Sequence, residues 1–197
     1  MNRLLSVLVN VATLKVGWLL AVLGAAQGIG WMGPLWALLI VGAYTASSDD
    51  RGGELALVAV ACIVGTVVDT TVLRLGLIDF AAPGPIVGIA PPWIIGLWAL
   101  LAAALTRSLG WLRGRPWAAA TLGATLAPLS YWAGAALGAA DLTADGALGL
   151  IAYGVAWAGA LPLLVVAANH IGGRKLRREA HPSTYMRPRY QGAGPTQ

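Results

Sequence analysis

"ELALVAVACIVGTVVDTTVL", residues 54–73, is the stretch whose reading decides the architecture. It is a continuous apolar run closed by the polar segment "SSDDRGG" before it and Arg74 after it. About 20 such residues in a helix cross the roughly 30 Å hydrocarbon core of a bilayer. Beyond Glu54 at its start, the run holds one carboxylate, Asp69. A charge within a spanning helix costs several kcal/mol unless it is paired, so Asp69 is the first candidate for function.

Working outward, five further apolar runs appear, at residues 4–28, 31–46, 93–112, 117–139 and 146–171. The chain has 197 residues, 58% hydrophobic and 11% charged. Soluble domains carry about 25% charged residues, so a chain this poor in charge points to lipid as its solvent. The runs are long and continuous, which predicts helices and excludes the short alternating segments of a membrane barrel. The expected fold is therefore all-α, a polytopic bundle of six transmembrane helices spanning residues 1–171. A basic, disordered tail over residues 172–197 is expected to follow it.

The connections sort by charge. Arg3, Arg51, Arg113, Arg115 and the tail group Arg174, Lys175, Arg177, Arg178, Arg187 and Arg189 fall on one side. Arg74 and the acids Asp79, Asp141 and Asp145 fall on the other. The positive-inside rule then places both termini in the cytoplasm. Nine Trp against one Phe fits the same reading, since Trp favours the membrane interface. The first run is expected to stay uncleaved, because Lys15 interrupts what would be the core of a signal peptide. The basic tail suits anionic lipid head groups rather than nucleic acid. Membrane lipids are the expected partners, and a homo-oligomer or another membrane protein is a candidate.

Polar groups inside the runs supply the site candidates. Lys15 lies roughly 16 Å along the first helix and Asp69 roughly 22 Å along the third. That depth difference of about 6 Å is within reach of a lysine stem, so a Lys15–Asp69 ion pair is the first expectation and Arg74 the alternative partner. Asn10 is expected to bond between helices, and Arg107 to snorkel to the cytoplasmic interface. Asp79 and Trp93 mark the outer connection "GLIDFAAPGPIVGIAPP", a loop or a short re-entrant segment. "GAALG" at 134–138 is a small-xxx-small pattern that predicts close helix packing. Pro128 and Pro162 predict kinks. With one cysteine, Cys62, and two histidines, His170 and His181, no cofactor or metal is expected. No GxSxG, HExxH or P-loop occurs, and the catalytic residues of any activity are unassigned.

The segments "LGLIDF", "PPWIIGLWALLAAALTRSLGWL" and "PLSYWAGAALGA", with "KVGWLLAVLGAAQG" in the first run, resemble a bacterial membrane family catalogued as domain of unknown function 2878. The resemblance covers roughly residues 9–171, with Asp69, Trp93, Trp98, Ser108, Tyr131 and Gly134 matching and Lys15 departing from its pattern. It implies a small polytopic inner-membrane protein. Some members carry the label permease, and an association with lipid-modification genes favours a lipid-linked role. Three readings follow. The first is a small transporter or permease with Asp69 and Lys15 lining a path gated by the outer loop. The second is a membrane enzyme or accessory subunit in lipid modification, with Asp69, Arg74, Asp79 and Trp93 near the outer leaflet and Tyr131 deeper. The third is a structural partner of another membrane protein.

Overall fold

The computed structural model describes residues 3–143 and 146–180. Asp145 of the outer-face acids and His181, Arg187 and Arg189 of the tail lie outside the described residues. Within them are six α helices: α1 (Arg3–Ala26), α2 (Met32–Ala46), α3 (Arg51–Arg74), α4 (Pro92–Leu105), α5 (Pro116–Ala136) and α6 (Gly146–Ala180). Three stretches are long and apolar enough to cross a membrane: Leu4–Ala26, Arg51–Arg74 and Ala147–Ile171. Apolar side chains also face outward. Leu38, Ile63, Val67, Ile151 and Val155 are each more than 60% exposed. Together these helices would be a poor fit to water on every face.

Local chemistry sets most helix ends. Asp50 caps α3, its Oδ1 accepting from the Gly53 N–H at 3.0 Å. α4 and α5 begin with Pro at the first helical position, where the missing N–H is not needed. After α5 the chain turns through Gly138, whose φ of 83° suits glycine.

α4 sits at the centre, with α1, α2 and α3 packed around it. It carries buried Trp93, Trp98, Ala102 and Leu105. The α5–α6 pair closes the bundle against α3. Glycine brings these helices together. A Cβ at Gly33 of α2 would lie 2.7 Å from the Ala21 Cβ of α1. One at Gly123 of α5 would strike the Trp157 carbonyl of α6. Pro128 leaves the Ala124 carbonyl without its helical N–H, and Gly154 of α6 packs against that turn.

The structure corrects several expectations. The fourth run does not stay helical to residue 112. α4 stops at Leu105, and residues 106–109 form turns before a 3-10 turn at Gly110–Leu112. The Leu109 N–H bonds the Ala104 carbonyl, and the Arg107 side chain turns inward instead of continuing the helix. The "GAALG" glycines face α1 at ordinary contact rather than close approach: a Cβ at Gly134 would meet Val22 at 4.0 Å, and one at Gly138, beyond the end of α5, would meet Ala26 at 3.8 Å. Residues 172–180, expected as the start of the tail, continue α6 to Ala180, and residues 181–197 lie outside the described residues. Two-residue strands also occur: β1 (Asp79–Phe80) pairs antiparallel with β2 (Ala140–Asp141). Two connections at one end lie side by side there, and their backbone groups satisfy each other.

Candidate functional site

Asp69 has no exposed surface. It lies on the face of α3 that also buries Leu57, Ala61, Gly65 and Val72, spaced at helical intervals. Its Oδ2 accepts from the Trp98 indole N–H of α4 at 2.7 Å. Its Oδ1 accepts from the Tyr131 hydroxyl of α5 at 2.5 Å. Gly65, one turn before Asp69, makes room for this: a Cβ there would collide with the Trp98 ring. Two aromatic pairs wall the carboxylate. Trp98 stacks on Trp157 of α6 with centroids 4.2 Å apart, and Tyr131 stacks on Tyr153 of α6 at 3.6 Å. The carboxylate thus gathers side chains from α3, α4, α5 and α6.

The expected Lys15–Asp69 pair does not form. Lys15 is exposed on α1, while Asp69 is enclosed by α4, α5 and α6. The faces of α1 that turn inward carry small residues, Ala21 and Ala25, so the lysine is left on the outer face. Arg74 is not its partner either. The Arg74 Nε donates to the Gly88 carbonyl at 2.9 Å and ties the outer connection to α3. Among the described residues no lysine, arginine or histidine bridges to Asp69.

The other candidates are distributed elsewhere. Trp93 is buried, donates its indole N–H to the Ala82 carbonyl at 3.2 Å and meets Phe80 edge-on. Asp79 is exposed, accepts from the Phe80 N–H and stands opposite Asp141 in the ladder. The outer connection is also held by the Ala90 N–H donating to Thr70, so it is pinned at several points. Asn10 is buried and joins three segments. Its Nδ2 donates to the Tyr44 hydroxyl at 3.1 Å, and its Oδ1 accepts from both the backbone N–H and the hydroxyl of Ser108.

Asn10 belongs to a second polar centre, at the opposite end of α3. Arg107 donates to Glu54 at 3.1 Å and to the Tyr44 carbonyl at 3.2 Å, and its guanidinium lies 4.0 Å over the Tyr44 ring. Arg107 is therefore an internal clamp rather than a snorkelling anchor. Sequence reasoning missed the Glu54–Arg107 pair and the roles of Tyr44, Tyr153 and Trp157. The signal for the last two was their i, i+4 spacing on one face of α6.

The family described as Protein of unknown function (DUF2878) matches residues 7–163. No curated protein and no solved structure matches the chain.

Proposed function

The chain belongs to the DUF2878 family, and from that premise we propose that it is a small permease-like membrane protein with Asp69 as its ion-coupling group. In this reading all six helices cross the inner membrane. Both termini face the cytoplasm, the basic tail meets anionic head groups, and the Glu54 end of α3 is the inner end. Arg51, Arg113 and Arg115 on one set of connections, against Asp79 and Asp141 on the other, support this orientation. The short α2 and α4 would cross with help from their flanking turns.

One observation carries the functional reading. Asp69 is fully buried, and its hydrogen-bond partners are neutral donors. An amide could accept from Trp98 on its oxygen and donate its NH2 to the Tyr131 oxygen, linking the same helices at far lower desolvation cost. A carboxylate is a sensible choice when its charge must be switched. With no basic side chain bridging to it among the described residues, the neutralising partner is a proton or a cationic solute. Because the carboxylate holds α4 and α5 through separate oxygens, a change in its charge alters the contact between the two halves of the bundle.

The test is reconstitution into vesicles loaded with a pH-sensitive dye, combined with infrared titration of the carboxyl band. Wild type is expected to move protons under an imposed gradient and to show a titrating carboxylic-acid band. Asp69→Asn should remove both while staying folded. Equal behaviour of the two proteins would leave Asp69 a packing residue.

A further inference from the structure

Two buried donors beside Asp69 are left without a hydrogen-bond partner: the Tyr153 hydroxyl and the Trp157 indole N–H. Tyr153 is 0% exposed. Its hydroxyl comes close to Asp69 and to Tyr131, yet makes no hydrogen bond of good geometry. Trp157 follows one turn later on α6 and neighbours the Tyr131 hydroxyl. A buried donor without a partner costs about 1–3 kcal/mol, and native proteins rarely leave two side by side. Meanwhile the two Asp69 oxygens offer about four lone-pair sites, of which Trp98 and Tyr131 use two.

We propose that a buried water is held here by Tyr153 and Trp157, hydrogen-bonded onward to the Asp69–Tyr131 pair, and that the ion bound at Asp69 is a proton. Water fits because it accepts from both orphaned donors and still donates to a carboxylate. A metal cation does not fit. It needs several oxygen ligands, and here the Trp98 N–H is directed at Asp69, the Trp157 N–H stands beside Tyr131, and among the described residues the Asp69 carboxylate is the one charge at the site. An organic cation is disfavoured for a different reason. The rings that would have to face it are stacked on each other in pairs. A proton arriving as hydronium is left on the Asp69 carboxylate, and the neutral water stays on its two donors.

The charged groups around the site are consistent with this. From α3 itself, Arg74 points to the outer connection. From α4 comes Trp98, from α5 Tyr131, and from α6 Tyr153 and Trp157. Further along α6, His170 is exposed and bonded to the Val166 carbonyl. The packing neighbour α2 carries its titratable group, Tyr44, at the other end of the bundle.

This inference rests on the proposed ion-coupling role, and infrared spectroscopy separates the two. Tyr153→Phe keeps the ring stacked on Tyr131 and removes only the hydroxyl. The Asp69 carboxyl band, assigned by its loss in Asp69→Asn, is expected to shift in Tyr153→Phe and in Trp157→Phe, both folded by thermal melting. A water band is expected to move on exchange into H2-18O in wild type and to vanish in Tyr153→Phe. Na+, K+ and tetramethylammonium should leave the carboxyl band in place. A carboxyl band that none of the variants moves, with no isotope-sensitive water, would overturn the water site. Loss of the band on adding one of those cations would overturn the proton and leave the coupling role intact. Should Tyr153→Phe fail to fold, the Trp157→Phe and isotope results decide the matter. No titrating band in wild type at all would instead defeat the coupling role itself.

Discussion

The two polar centres on α3 lie about 22 Å apart along the helix, and they solve the same problem in opposite ways. At the Glu54 end the charges are matched, Glu54 with Arg107, and both side chains keep some surface at 16% and 22%. At the Asp69 end the charge is single, sealed, and held by an indole and a phenol. The first arrangement is stable in one state. The second is comfortable only when something neutralises it, and the proposed coupling role uses that feature. Lys15, left on the outer face of α1, does not give the second centre the basic partner that Arg107 gives the first.

The largest expected effect tests how the Asp69 end is built. Gly65→Leu forces a side chain into the Trp98 ring, and overpacking of this kind costs about 1–3 kcal/mol or more. Thermal melting should show a large loss, and the Trp98 indole should leave Asp69. An unchanged melt would mean that Gly65 does not seat Trp98.

At the other end, Glu54→Gln leaves the Arg107 guanidinium without its counter-charge. A fully buried pair would lose about 3–5 kcal/mol, but both groups are partly solvated, so about 1–2 kcal/mol is expected. The loss should shrink in high salt and should be smaller in a Glu54→Gln, Arg107→Met double variant than the single losses added together. Additive losses would show that the pair is not coupled. Asp69→Asn should behave differently, with little salt dependence and no loss beyond that of Glu54→Gln.

Smaller still is Ser108→Ala. It removes the hydroxyl that donates to Asn10 but keeps the backbone N–H on the same oxygen, and about 1 kcal/mol is expected by denaturant titration. At the bottom of the scale, Lys15→Gln should leave the melting temperature unmoved, since Lys15 is exposed and does not pair with Asp69. A marked destabilisation would break the contrast between the two ends, because Lys15 would then be coupled to the interior.

Much of the scaffold was legible because it follows from counting. Apolar runs bounded by polar connections gave six helices, with ends close to those observed for α1, α2, α3 and α5. The end of α4 was not legible. Nothing in "LTRSLGWL" breaks a helix before Gly110, and the turn at residues 106–109 places Arg107 on Glu54 and Ser108 on Asn10. Those partners lie far away in sequence. Asp69 stood out in the sequence because a lone carboxylate in an apolar run is conspicuous. Its partners did not, because Trp98, Tyr131, Tyr153 and Trp157 look like ordinary membrane aromatics until four helices meet.

The sequence by itself determined that this chain folds as apolar helices, which residues interrupt them, and how charge divides between the connections. These are properties of segment length and of transfer energy, and each run carries them alone. Only the tertiary structure decided which interruptions meet. Helices that are apolar on all sides have no preferred face until small residues such as Gly33, Gly65 and Gly123 admit a neighbour closely. That close approach turned Asp69 toward an indole and a phenol, and left the lysine of α1 outside.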